Sequence, residues 1–137
     1  MKHHSYLRAY MAGTIVPTIF LLFVMTGYCI LRYVYNFPVA VERIIVFPMA
    51  VVPNLWGLWN MLFVMLRSRS PLPIAIHGAI LPFLLGPLGF LLTRILDFPV
   101  PDFVWRELLV GAVIALIVYY LVWKYVVAFL NRVVEVA

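Results

Sequence analysis

The side chains of this chain that could do chemistry are two amides, an imidazole and two indoles, all inside long apolar segments. They are Asn54, Asn60, His77, Trp56 and Trp59. An imidazole can relay a proton near neutral pH, amides can line a polar pathway, and an indole face can hold an apolar or cationic ligand. We therefore treat these five residues as candidates for an intramembrane pathway or binding site.

Each candidate also has a structural interpretation. An amide or imidazole in hydrocarbon needs a hydrogen-bond partner, so Asn54, Asn60 and His77 are expected to face other helices. Asn60 and His77 are predicted at similar depth on consecutive helices, which predicts hydrogen bonding between those helices. Trp56 and Trp59 share a helical face with Asn60, an arrangement that is typical of core packing as well as of a ligand wall.

The elements that position these residues follow from four stretches without formal charge, residues 9–31, 44–66, 70–93 and 108–123. A bilayer core of about 30 Å needs about 20 helical residues. The sequence therefore predicts an all-α integral membrane protein, a single domain of four transmembrane helices over residues 1–137. The predicted crossings are about residues 10–33, 43–66, 73–95 and 103–126.

Composition excludes several function classes. Hydrophobic residues make up 66% of the chain and charged residues 11%, against about 25% charged in soluble domains. The basic residues are scattered, so no nucleic acid is predicted as a partner. Haem would need a second buried histidine beside His77, which only a symmetric dimer could supply, and no cluster of metal ligands is present. We predict no cofactor, no metal site and no catalytic residues. An enzyme that acts on lipid headgroups or quinones is a third hypothesis, and it would need a polar pocket at one membrane interface.

The distribution of Lys and Arg predicts the orientation, because cytoplasmic loops keep an excess of both. With both termini inside, the cytoplasmic side holds Lys2, Arg8, Arg67, Arg69, Lys124 and Arg132, and the outer side holds Arg32, Arg43, Arg94 and Arg106. This six-to-four distribution predicts cytoplasmic termini. We expect an inner (plasma) membrane of a prokaryotic cell.

Prolines inside the predicted crossings indicate bends. They are Pro48 and Pro53 in the second helix and Pro82 and Pro87 in the third. Each lacks an amide hydrogen and crowds the carbonyl four residues earlier, which predicts kinks in both helices. Kinked helices that meet near the midplane can form ion or substrate sites, although proline is also common in ordinary membrane helices.

Other patterns predict contacts and depth. Gly111 and Ala115 form a small-residue pair that permits close helix approach, either within the bundle or between copies of the protein. The short connection 67–73 predicts that the second and third helices are antiparallel neighbours. Aromatic residues near the ends of the apolar runs are expected at the headgroup level, namely Tyr10, Tyr33, Tyr35, Trp105, Trp123 and Tyr125.

The two outer connections resemble each other, since Asn36-Phe37-Pro38-Val39 is echoed by Asp97-Phe98-Pro99-Val100. A duplicated helical hairpin is one hypothesis. Convergence is the other, because Asn or Asp with Pro is ordinary turn chemistry.

The function predicted first is helix association, as a homo-oligomer or as an accessory subunit of a membrane complex. The alternative is a transporter or channel for a small solute or ion, with a pathway along the second and third helices. Length and crossing number are similar to those of the small multidrug transporters, which rely on an acidic residue in the first helix. Residues 9–31 contain no acidic residue, so no function is inferred from this similarity. The predicted partners are the lipid bilayer and other membrane subunits.

Overall fold

The computed structural model describes residues 4–97 and 102–136, which contain helices and no strand. Four long helices dominate: α1 Ser5–Tyr33, α2 Val41–Leu66, α3 Ile74–Ile95 and α4 Leu108–Val133. Each is long and apolar enough to cross a membrane. The prediction of four membrane-spanning helices in an all-α protein is confirmed at this level, and it indicates an integral membrane protein.

The fourth helix lies further along the chain than the predicted crossing at 103–126. A short helix, Asp102–Arg106, precedes it, and α4 continues to Val133. The continuation is amphipathic, because Val127 and Asn131 are fully buried while Phe129 and Val133 are exposed. Packing of this buried stripe against the other helices explains why the helix does not end near residue 126.

Helix α2 changes its backbone conformation near its start. Phe47 has φ −146° and ψ 124°, which are extended values, and the Phe47–Pro48 peptide is cis. Regular α-helix resumes at Val52, so Pro53 falls in a first helical turn, where its missing amide hydrogen is harmless. Helix α3 continues through Pro82 and Pro87. The predicted kinks in the two helices stay predictions.

Helices α1 and α2 pack closely where two glycines meet. A Cβ atom at Gly13 would lie 2.6 Å from the carbonyl oxygen of Trp56 and 2.9 Å from the Cα of Gly57. A Cβ at Gly57 would in turn lie 2.6 Å from the Tyr10 ring. Only glycine permits this approach between the two backbones.

Helices α3 and α4 meet where a glycine accepts a tryptophan. Trp123 is fully buried, and a Cβ at Gly78 would lie 2.0 Å from its Cγ atom. Trp123 also belongs to the main hydrophobic cluster, whose buried members are Trp56, Leu81, Leu85, Trp123 and Val127. The core therefore lies among α2, α3 and α4.

The connection between α1 and α2 is closed by an ion pair in which Arg32 Nη1 lies 2.7 Å from Glu42 Oε1. Asn36 and Asp97, the corresponding residues of the two echoed segments, both have left-handed backbone, with φ 54° and φ 51°. Asn and Asp tolerate this conformation better than most residues. Residues 98–100 of the second segment lie outside the described ranges, and the duplication stays a hypothesis.

Candidate functional site

The most deeply buried polar feature is a pair of amides, Asn60 on α2 and Asn131 on α4. Asn60 Nδ2 donates to Asn131 Oδ1 at 2.7 Å, and Asn131 Nδ2 donates to Asn60 Oδ1 at 2.9 Å. Asn60 Nδ2 also donates to the Ala9 carbonyl at 2.7 Å. Both asparagines have no exposed surface. This amide clasp joins three helices and leaves neither Asn60 polar atom free for a solute.

His77 on α3 pairs with Trp59 on α2. Trp59 Nε1 donates to the His77 carbonyl at 2.8 Å, and His77 Nε2 lies 3.3 Å from the Trp59 carbonyl. The two rings stack at 4.8 Å, and the Phe63 ring lies 5.3 Å from the imidazole. The imidazole therefore bonds across the α2–α3 hairpin, as the sequence predicted. Its partner is Trp59, and Asn60 bonds to α1 and α4 instead.

Asn54 and Trp56 use their polar atoms within the bundle as well. The Tyr10 hydroxyl donates to Asn54 Oδ1, and Asn54 Nδ2 donates to the Ala50 carbonyl at 2.7 Å. Trp56 is 4% exposed, packs on Tyr119 and Trp123, and donates from Nε1 to the Tyr119 hydroxyl at 3.3 Å. Asn54 is exposed, and its hydrogen bond with Tyr10 joins it to α1.

The C-terminal end of the chain contacts two arginines, Arg8 on α1 and Arg67 directly after α2. Arg8 Nη1 donates to the Val134 carbonyl at 3.5 Å and lies 3.7 Å from Glu135 Oε2. Arg67 donates to the Val136 carbonyl. These contacts place the start of α1, the end of α2 and the end of α4 at one end of the bundle, which we call the termini end.

The opposite half of the bundle contains an open apolar groove between α2, α3 and α4. Its volume is about 580 Å³. Its walls include Pro48 and Val52 of α2, Pro82 and Gly86 of α3, and Gly111 and Ala115 of α4. Tyr119 lies at one end and Glu107 at the other. A second cavity, of about 330 Å³ and lined in part by Trp56, shares Pro48, Val52 and Tyr119 with this groove.

The small residues predicted for helix contact line this groove. A Cβ at Gly111 would meet no atom within 4 Å, and the same holds for Gly86 on the facing wall. Gly111 therefore borders open space within the described part of the bundle, and a contact of this stripe with another copy stays a prediction. The closest helix approaches are instead at Gly13 with Gly57 and at Gly78 with Trp123.

Sequence reasoning missed residues that hold the bundle together. Asn131 lay beyond the predicted fourth crossing, so its amide was not considered. A signal for the α1 contact was present, since Ala9 and Gly13 are a small-residue pair four apart and both are buried. Trp123 was expected at the headgroup level. It is fully buried, and its indole Nε1 has no hydrogen-bond partner among the described residues.

The described residues contain no group of three or more His, Cys, Asp or Glu side chains that could hold a metal ion. No protein-family model, curated protein or solved structure matches this chain.

Proposed function

We propose that the protein acts by association within the membrane, as a homo-oligomer or as an accessory subunit of a membrane complex. One observation carries the proposal: the buried amides and the imidazole have their hydrogen-bond partners inside the bundle. Asn60, Asn131 and the His77–Trp59 pair are satisfied within the bundle. Such an interior supports a structural role better than the handling of a polar solute.

The alternative is a solute or ion pathway along α2 and α3, with bends at their prolines. Asn54, Asn60 and His77 would have to exchange their present partners for water or substrate. The groove beside Pro48 and Pro82 is almost wholly apolar, and the amide clasp lies outside it. These features make the pathway the weaker proposal. Solute flux into liposomes that is lost in Asn60→Leu would favour it.

One side of α1 faces away from the other helices and offers a surface for association. Ile19, Phe23 and Ile30 are about half or more exposed on one face, and Gly27 lies among them with no atom within 4 Å of a Cβ position. A small residue among large ones permits close approach of a second helix. A second copy is the first partner to test, because one apolar face can meet itself across a two-fold axis.

The test is the mass of the protein in lipid nanodiscs, together with recovery of partners from mild detergent. We expect a dimer or larger assembly, or a stoichiometric partner, and we expect Gly27→Leu to weaken it. Gly86→Leu, which adds the same side chain to an open position on α3, is the matched control. A strict monomer with no recovered partner would contradict the proposal.

We also propose that both termini lie in the cytoplasm of a prokaryotic cell, with the chain in its inner membrane. The support is the six-to-four distribution of Lys and Arg between the two ends. We expect a reporter enzyme that functions only in the cytoplasm to be active when it is fused after Ala137. If a reporter that functions only in the periplasm were active there, the orientation would be the opposite of the one proposed.

A further inference from the structure

We infer that the groove between α2, α3 and α4 binds one phospholipid whose headgroup carries a primary ammonium, with an acyl chain lying along the groove. Phosphatidylethanolamine is the phospholipid with this headgroup chemistry. This site is separate from the α1 face around Gly27, so the inference does not depend on the proposed association.

The length of the groove suits an acyl chain. It extends along α4 from Glu107 to Tyr119, which is roughly 18 Å at the helical rise. An unbranched hydrocarbon chain that lies along this path would cover its apolar walls.

Two glycines leave open space between the walls of the groove. Gly86 on α3 and Gly111 on α4 lie on facing walls, and a side chain at either position would meet nothing within 4 Å. The remaining lining is apolar apart from Glu107 and the Tyr119 hydroxyl. The volume lies within the range of about 300–1,000 Å³ that is usual for small-molecule sites.

Charge at the mouth of the groove selects the headgroup. Glu107 lines the groove, its side chain is exposed, and it forms no ion pair with a described residue. A carboxylate at this point attracts the ammonium group of a lipid headgroup and repels an anionic group. Glu107 lies beside the start of α4, and it therefore sits where a headgroup would lie when the acyl chain fills the groove.

Two arginines at the same end suit the phosphate of that headgroup. Arg106 precedes Glu107 and is exposed. Arg94 in the last turn of α3 lies 5.2 Å from the centre of the Phe90 ring, and Phe90 contacts Trp105 edge-on at 5.5 Å. The Phe90–Trp105 contact holds the short helix Asp102–Arg106 beside the end of α3. Neither arginine lines the groove itself, but both lie at the same end of the bundle as Glu107, so cations and an anion are present near the level of a zwitterionic headgroup.

The experiment is native mass spectrometry of the delipidated full chain with added phosphatidylethanolamine or phosphatidylglycerol of identical acyl chains. We expect retention of one phosphatidylethanolamine with a preference of about tenfold, the contribution of one charge-assisted contact. Glu107→Gln should abolish the preference while lipid is still retained. Glu135→Gln, which removes a carboxylate at the termini end, should leave it unchanged.

A second pair of variants tests the groove itself. Gly111→Leu fills the groove and should remove retention of both lipids, whereas Gly27→Leu adds the same side chain on α1 and should not. Gly86→Leu repeats the test from the facing wall if Gly111→Leu does not fold. Equal retention of the two lipids by the unaltered chain would overturn the inference. So would full retention after Gly111→Leu, or a dimer that Gly111→Leu dissociates while lipid binding persists.

Discussion

At the scale of single residues, the buried amides and the imidazole of this protein have hydrogen-bond partners on neighbouring helices. An amide in hydrocarbon is costly unless its donors and acceptors are satisfied. Asn60 meets that requirement by bonding to both α1 and α4, so it fixes the relative position of three helices. His77 meets it through the Trp59 backbone, within the α2–α3 hairpin.

The amide clasp yields a prediction about stability. Asn60→Leu removes both amide–amide bonds and leaves Asn131 buried without a partner, which we expect to cost about 1–2 kcal/mol. The double variant Asn60→Leu/Asn131→Leu should cost less than the sum of the two single changes, because neither amide is then orphaned. Unfolding in mixed micelles, followed by tryptophan fluorescence, measures both.

The control for the clasp is Asn54→Leu, which removes an amide at the surface of α2. We expect a smaller loss of stability there, since the Asn54 side chain is exposed. If Asn60→Leu were no more destabilising than Asn54→Leu, the clasp would not be a major support of the bundle.

At the scale of elements, six of the seven glycines divide into two groups that sequence cannot tell apart, and at the seventh, Gly89, a Cβ would lie 3.0 Å from the Phe47 ring. Gly13, Gly57 and Gly78 lie where another helix touches the backbone, whereas Gly27, Gly86 and Gly111 face open space. The first group sets the distances between helices. The second group leaves room on the surface or in the groove.

Gly78 and Gly86, both on α3, provide a test of this division. Gly78→Ala places a methyl group against the Trp123 ring, and we expect a loss of about 1–3 kcal/mol from overpacking. Gly86→Ala meets no neighbour and should be neutral or stabilising by up to about 1 kcal/mol, because alanine favours helix. The midpoint of unfolding in mixed micelles distinguishes them, and equal midpoints for the two variants would refute the division.

At the scale of the whole molecule, the two ends of the bundle differ in packing. The termini end is closed by the amide clasp and by a second hydrophobic cluster of Ala9, Val64 and Val136. The opposite half contains the groove and the second cavity. The packing is therefore closed at the termini end and open along the opposite half of the bundle.

The arginine contacts at the termini end are open to a direct test. Arg67→Gln removes the donor to the Val136 carbonyl, so we expect faster hydrogen exchange in the last turn of α4 and in the residues after it. Arg69→Gln makes the same charge change in the same connection and should have little effect. Hydrogen–deuterium exchange by mass spectrometry compares the two, and identical exchange in both variants would show that the Arg67 contact does not hold the C-terminal end.

The lengths and spacing of the apolar runs, by themselves, determined that this protein has four helices long and apolar enough to span a membrane. That information is local, because each crossing needs only an uninterrupted apolar length and closes its own backbone hydrogen bonds. The proposed kinks, the orientation and the duplication are also readings of local pattern, and they stay predictions.

Only the tertiary structure decided which polar and small residues meet. Asn131 pairs with Asn60, Trp123 fills the space at Gly78, and Gly111 faces an open groove of the bundle. These outcomes depend on the rotation and the register of each helix against its neighbours. The helices of this chain are apolar on nearly every face, so the hydrophobic pattern does not specify how each helix is rotated. The individual contacts between helices set that rotation instead.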